Sequence, residues 1–231
     1  MASKVSHVLK KIWKVFLILF VAQLVYILLL KWIDPPITVT QFSSWAKGEG
    51  LNRDYIDFDD MSPNIRLAVM ASEDQLFPDH NGFDLQNIKD AWKERNKKIR
   101  KRVRGASTIS QQVAKNVFLW QGRSWVRKGL EAYTTFMIEL IWGKKRILEM
   151  YLNVSEMGKG VFGIEAASRF YFKKSAKKLT RMEAALITAG LPNPKKYRVN
   201  PPSNYVAQRG EQIVIQMNNI EPDEEIQELL K

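Results

Sequence analysis

Apolar and polar positions follow two different patterns along this chain. Residues 15–30 (VFLILFVAQLVYILLL) hold sixteen positions with one polar side chain, Gln23. Extending the run to residues 12–33 gives 22 positions, enough for the roughly 20 apolar residues that span a bilayer. Lys14 and Lys31 lie near its ends, where long cationic side chains snorkel, and Trp13 and Trp32 bracket it at interfacial positions. A cleaved signal peptide has a shorter apolar core and a small-residue cleavage site, and Leu-Lys-Trp-Ile-Asp-Pro-Pro offers none. The pattern predicts an uncleaved transmembrane helix over 12–33 rather than a buried core helix.

Past that run the apolar positions recur at helical spacing, and the polar ones mark where helices begin. Residues 34–51, with Pro35-Pro36, read as an extended connector. Ser62-Pro63 pairs an N-cap with proline at the first helical position and predicts a helix to about Ser72. Thr180-Arg-Met-Glu183 is a capping box, and the helix it opens should stop at Gly190, with Pro192 behind it. Ser203 is placed to cap a helix carrying Val206, Ile213 and Met217. Residues 128–152 are rich in Leu, Ile and Met and lack proline, so they predict one long helical stretch, while residues 218–231 suggest a short amphipathic helix. Strand-like alternation is scarce and no internal repeat occurs, so the expected class is mainly α. The expected organisation is a tail at 1–11, the span at 12–33, a connector at 34–60 and a mainly helical domain at 61–231.

Charge orients the span. Lys4, Lys10, Lys11 and Lys14 precede it, so the positive-inside rule keeps the tail in the cytoplasm and exports the rest. The chain carries 36 Lys+Arg against 24 Asp+Glu, a net +12. The first 33 residues hold five lysines and no acid, which leaves the exported part at +7. That excess suits anionic lipid headgroups or phosphates. Residues 93–104 (KERNKKIRKRVR) hold eight cations and one acid. Such a run often means nucleic-acid binding, but on the exported side of a membrane the expectation is no nucleic acid, with membrane lipids or plain solvent as its surroundings. With no cysteine and only His7 and His80, disulfides, thiol nucleophiles and Cys- or His-built metal sites are excluded. Any metal would be a hard cation on carboxylates and phosphates.

Three constellations carry candidate chemistry. Glu73-Asp74-x-x-Phe77-x-x-His80-x-Gly82 closes an apolar helix with carboxylates, and partial burial there would raise a carboxyl toward a useful general base. A solvated acidic loop is the simpler reading of that spacing alone. Gly105-x-Ser107-Thr108-x-x-Gln111-Gln112-x-x-Lys115-Asn116 places Ser107 as the cap of the next helix. Thr108, Gln111, Gln112 and Lys115 then share a face of hydroxyl, amides and ammonium suited to sugar and phosphate oxygens. Arg123, Arg127, Lys128 and Glu131 gather three cations and a carboxylate within nine residues, although Arg127 and Glu131 also make an ordinary i,i+4 pair.

Taken in order, these segments resemble the glycosyltransferase family 51 module of peptidoglycan synthases, most closely its monofunctional biosynthetic transglycosylases from Gram-negative bacteria. Glu-Asp-x-x-Phe-x-x-His-x-Gly is met at Glu73, Asp74, Phe77, His80 and Gly82. Gly-x-Ser-Thr-Ile-x-Gln-Gln is met from Gly105 to Gln112, and Arg-Lys-x-x-Glu at Arg127, Lys128 and Glu131. A fourth motif is met at Lys145, Ile147, Leu148, Tyr151, Leu152 and Asn153, and Gly160 to Ala167, followed by Tyr171-Phe172, fits a fifth region. The match runs over about 61–202. A departure is Lys89-Asp90, where many members carry an arginine shortly after the first motif.

The resemblance implies a mainly α, lysozyme-like domain with a small membrane-proximal lobe, preceded by one transmembrane helix in the bacterial inner membrane, its catalytic domain periplasmic. It implies polymerisation of lipid II into linear glycan strands with inversion and release of the lipid pyrophosphate. Glu73 and Glu131 would be the catalytic pair, with Glu73 as base and Glu131 either orienting cations or holding a divalent cation (Mg or Mn) at the pyrophosphate. Asp74, Phe77, His80, Gly105, Ser107, Thr108, Gln111, Gln112, Lys115, Asn116, Arg123, Arg127 and Lys128 would bind substrate. No organic cofactor is implied. Lipid II, the lipid-linked chain and membrane lipids are the expected partners, and cell-wall synthesis or division proteins are candidate ones. Two competing readings are a lytic muramidase, which has no need of the cationic set, and a non-catalytic anchored scaffold, which has no need of both glutamates. Ser44-Trp-Ala-Lys47 matches the Ser-x-x-Lys of penicillin-binding transpeptidases by chance, since no Lys-[Ser/Thr]-Gly follows.

Overall fold

The computed structural model describes residues 2–85, 89, 107–122 and 124–231. The basic run at 93–104, the lobe expected around it, Gly105 and Arg123 lie outside these residues. The chain divides into two compact units, Met1–Pro35 and Pro36–Lys231.

The first unit is helix α1 (Ala2–Leu29), whose stretch Leu9–Leu29 is long and apolar enough to cross a membrane. Its 21 residues rise about 31 Å, matching a hydrocarbon core of about 30 Å. The helix ends four residues before the expected boundary, and Lys31 lies over the Trp32 ring at 5.5 Å.

The second unit is built on α3 (Pro63–Glu73). Ser62 Oγ accepts from Asn64 N–H at 3.2 Å and Pro63 fills the first turn, as the sequence predicts. Ile65, Leu67, Val69 and Met70 of α3 are fully buried. Each such side chain contributes about 1.5–3 kcal/mol by leaving water, so this helix is a fixed axis for whatever its end carries. It packs against α8 (Arg181–Gly190) and α9 (Asn204–Ile220), which also pack on each other. Thr180 and Glu183 close the expected capping box on α8. Ser203 precedes α9 as expected but makes no side-chain cap bond. The short acidic helix α10 (Glu224–Leu230) buries Ile226 and packs on α3.

A second group of helices joins the first at the C-terminal end of α3, where Asp74 accepts from Ile109 N–H. It comprises α4 (Ile109–Phe118), α5 (Trp125–Trp142) and α6 (Lys144–Val154), with α4 packed on both others. The single long helix expected over 128–152 is two helices. Gly143 separates α5 from α6 at φ 77°, a left-handed conformation that breaks the ladder. The cap of α4 is Thr108 rather than Ser107: its Oγ1 accepts from Gln111 N–H at 3.2 Å, and Gln111 Oε1 accepts from Thr108 N–H at 3.1 Å.

The connector is not extended throughout. Helix α2 (Val39–Ala46) forms there because Thr38 and Gln41 make another capping box. Ser44 is buried and its hydroxyl donates to the Gly50 carbonyl at 3.0 Å, a structural role consistent with a chance motif match. Three short strands make a sheet of order β1-β3-β2, from β1 (Asn52–Arg53), β2 (Glu156–Gly158) and β3 (Val161–Phe162). β1 runs parallel and β2 antiparallel to β3, with Asn52 opposite Val161. Helix α7 (Ile164–Phe172) follows the sheet. Asn153 at the end of α6 binds both N–H and C=O of Ile56, at 3.2 and 2.9 Å, and so ties the sheet's approach to the helices.

Candidate active site

The two helix groups meet where α3 ends and α4 begins. Asp74, the C-cap of α3, is buried, and its Oδ2 accepts from Ile109 N–H at 2.9 Å. His80 Nε2 lies 3.0 and 3.1 Å from the two Asp74 oxygens, while His80 Nδ1 accepts from Gly82 N–H at 3.1 Å. That acceptor role at Nδ1 puts the proton on Nε2, where it is donated to Asp74. Thr108 Oγ1 donates to the Gly82 carbonyl at 2.8 Å. Phe77 is fully buried, with Lys144 Nζ 4.6 Å from its ring centroid, and Lys144 also donates to the His80 carbonyl. Asp74, Phe77, His80 and Thr108 therefore form a brace that joins the first motif to the second.

Glu73 leaves this brace as the last residue of α3. Its Oε2 accepts from Gln112 Nε2 at 3.0 Å and its Oε1 from Ser72 Oγ at 3.4 Å. Tyr151 O–H, from α6, donates to Gln112 Oε1 at 3.5 Å, which orients the amide with its NH2 toward the glutamate. Burial pushes the Glu73 carboxyl above its ordinary value. The Gln112 and Ser72 hydrogen bonds and the charge of Arg209 oppose that rise, and the nearby Asp74 charge adds to it. Burial also pushes the Tyr151 phenol well up, with Glu73 adding to the rise, so its hydroxyl stays protonated.

Beside Glu73 opens a cavity of about 520 Å3 lined by Ser107, Gln111, Gln112, Lys115, Arg127 and Lys128, with Gln121, Gly122 and Glu131 completing the wall. Glu73 is not itself among the lining residues, but Gln112 both holds it and faces this space, and the Glu73 charge acts on Lys115, so the carboxylate stands next to the cationic cavity. Burial lowers the Lys115 ammonium; Glu131 opposes that shift, while Arg127 and Lys128 reinforce it. Glu131 is buried, with Arg127 Nη1 at 2.6 Å on Oε2 and Lys128 Nζ on Oε1. Arg127 and Lys128 lie in the first turn of α5, capped by Ser124, so the positive end of that helix adds to their field. Arg127 Nε is a buried donor without a partner among the described residues. Three cations against one carboxylate leave a net positive wall suited to a multiply charged oxyanion.

Among the described residues no three His, Asp or Glu side chains converge as a metal site. Both oxygens of Glu131, the cavity's lone carboxylate, are held by cations. This donor set does not fit a resident divalent cation.

The structure thus brings Glu73, Glu131, Ser107, Gln111, Gln112, Lys115, Arg127 and Lys128 together. Asn116 is half-buried on α4, outside the cavity lining, and Asp74, Phe77, His80 and Thr108 stand behind the site. Sequence reasoning missed Ser72, Gln121, Gly122 and Arg209 altogether and assigned no role to Tyr151. Tyr151 sat inside a recognised motif. Arg209 is 137 residues from the Ser72 it contacts and carries no local signal.

The family described as Transglycosylase matches residues 39–218. The biosynthetic peptidoglycan transglycosylase of Mannheimia succiniciproducens is 57% identical over 170 residues, covering 74% of this chain and 69% of that protein. Its namesake from Pectobacterium atrosepticum is 51% identical over 214 residues, 90% of this chain and 87% of the relative. A third, from Yersinia pestis, is 54% identical over 183 residues, covering 78% and 76%.

Proposed function

The chain belongs to the transglycosylase family, glycosyltransferases that polymerise glycan chains in cell-wall synthesis, and from that premise we propose that Glu73 is the general base of the reaction. The observation that carries this reading is a carboxyl raised by burial and held by Gln112, whose other face opens on a cation-lined cavity. Glu73 takes the proton of the acceptor sugar's 4-hydroxyl. The freed oxygen attacks the anomeric carbon of the lipid-linked donor from the face opposite its pyrophosphate. The bond from that carbon to the pyrophosphate oxygen breaks, and the leaving group departs with the electron pair. Inversion follows from this single displacement.

A pyrophosphate leaves as an anion and needs charge stabilisation more than a proton. Lys115, Arg127 and Lys128 supply it from one side of the cavity. Glu131 holds Arg127 and Lys128 in place, the cation-orienting alternative of its two expected roles. A hydrolase of neutral glycosidic bonds has no use for this wall, so the cavity favours transfer over lysis. We further propose that α1 anchors the chain in the inner membrane with its amino terminus cytoplasmic. The catalytic unit then meets lipid II on the periplasmic side.

The test is polymerisation of lipid II by the full chain in detergent, comparing wild type with Glu73→Gln. Removing a general base costs about 10²–10⁴-fold in rate. Muramidase-sensitive polymer from wild type, lowered by that factor in the variant, is the expected result. Wild-type rates from folded Glu73→Gln would overturn the base assignment.

A further inference from the structure

Glu73 is held from both sides by a chain of hydrogen bonds running across four helices. From one side Tyr151 on α6 orients Gln112 on α4, which donates to Oε2. From the other, Arg209 on α9 donates through Nη2 to Ser72 Oγ at 3.2 Å, and Ser72 donates to Oε1. Ser72 has one hydroxyl hydrogen, and accepting from Arg209 leaves that hydrogen for the carboxylate. Of the links in this chain, Arg209 is the one with a permanent positive charge. It stands two hydrogen-bond lengths from the base, through Ser72, and it is not among the residues lining the cavity.

We propose that Arg209 is a positioning residue for the transferase reaction: acting through Ser72, it aims the Glu73 carboxylate and holds it in the charged form that takes the acceptor's proton. This rests on the assignment of Glu73 as base. The charged and titratable groups around Glu73 define why Arg209 is needed. Asp74, next on the chain, adds a like charge that opposes ionisation. Tyr151 from α6 is neutral. Lys115 from α4 is a cation, but Glu131 competes for its field and it faces the cavity, where it is needed at the leaving group. A guanidinium keeps its charge throughout the working pH range. Arg209 therefore offsets burial and Asp74 without entering the reaction.

The experiment is the pH dependence of lipid II polymerisation by the full chain, from about pH 5 to 9, for wild type, Arg209→Gln, Arg209→Lys, Ser72→Ala and Glu73→Gln. Loss of a nearby positive charge disfavours the carboxylate, so the acid limb of kcat/KM in Arg209→Gln should move up by about one pH unit. Its rate then falls roughly tenfold at the acid end and approaches wild type at the alkaline end. Arg209→Lys keeps the charge and should restore most of the limb, and Ser72→Ala should shift it in the same direction by less. A loss in Arg209→Gln that is uniform across pH would mean a bracing role only and overturn the proposal. So would an unshifted limb, or Arg209→Lys failing as badly as Arg209→Gln. If Arg209→Gln does not fold, Arg209→Lys and Ser72→Ala read the same limb. Wild-type activity in Glu73→Gln would remove the base and Arg209's role together. An inactive Glu73→Gln beside an unshifted Arg209→Gln limb would remove the Arg209 role alone.

Discussion

Asp74→Ala tests whether the first motif's second carboxylate touches substrate or braces the site. In the native protein Asp74 is buried and receives two donors, Ile109 N–H at 2.9 Å and His80 Nε2–H at 3.0 Å. Truncation leaves both donors buried without an acceptor. Each such orphan costs about 1–3 kcal/mol, so the two together cost about 2–6 kcal/mol. For a chain of this size that is a fall of about 4–24 °C in Tm, read from tryptophan fluorescence of the full chain in detergent. Asp74→Asn should recover only part of it. Its carbonyl oxygen can take Ile109 N–H, but its NH2 then faces His80 Nε2–H, and His80 cannot switch tautomer while Nδ1 accepts from Gly82.

The same variants carry a kinetic signature. Ile109 opens α4, and Gln112 lies one turn further along. Releasing the start of α4 therefore shifts the amide that holds Glu73. A displacement of about 1 Å at reacting groups costs about 10²-fold, and it should appear in kcat while the cationic wall keeps KM near wild type. A Tm within about 1 °C of wild type for Asp74→Ala, or a raised KM at unchanged Tm, would refute the bracing role and return Asp74 to the substrate-contacting set.

Glu73→Gln should stabilise the protein as it inactivates it. Burial raises the folded-state value of Glu73 above 4.5, so the folded chain holds this proton more tightly than the unfolded one. The stability contributed by the residue is complete below the unfolded value and is lost as pH rises through the raised folded value. At about pH 8 the variant should therefore melt a few °C above wild type, with the gap closing toward pH 5; an equal or lower Tm at pH 8 would contradict the burial argument. Gly82→Ala should destabilise by about 2–3 kcal/mol, because Gly82 has φ 83° and an added Cβ would lie 2.8 Å from Thr135 Cγ2 and 2.9 Å from Glu139 Cγ. An unchanged melt would show that the turn between His80 and α4 is looser than these distances require.

Helix starts were legible because a cap is a local contract between residues three apart. Thr180 with Glu183 and Ser62 with Pro63 needed nothing from the rest of the chain. Thr38 with Gln41 carries the same signature, but it follows Pro35-Pro36, which favours extended backbone just ahead of it. At α4 the prediction missed by one residue, since Ser107 and Thr108 are both good caps. The choice follows from Thr108 Oγ1 also reaching the Gly82 carbonyl, a contact 26 residues away. Gly143 was visible as a glycine, but its breaking of the helix follows from φ 77°, which a residue type alone does not state.

The site divides along the same line. The residues proposed to meet substrate sit in motifs, because that chemistry requires a fixed residue type at fixed spacing on one helix: Glu73 at the end of α3, Gln112 and Lys115 one turn apart on α4, Arg127 with Glu131 on α5. What sets the ionisation of Glu73 arrives from elsewhere. Desolvation comes from the packing of α3 against its neighbours, one hydrogen bond from α4 under the control of α6, and the opposing charge from α9. A position that acts by charge through a neighbour's hydroxyl needs only to arrive at the right place, so its sequence context is that of an ordinary amphipathic helix. Arg209 lies between Gln208 and Gly210 with nothing to distinguish it from a solvated arginine. Only the packing of α9 on α3 brings that residue to Ser72 and, through it, to Glu73.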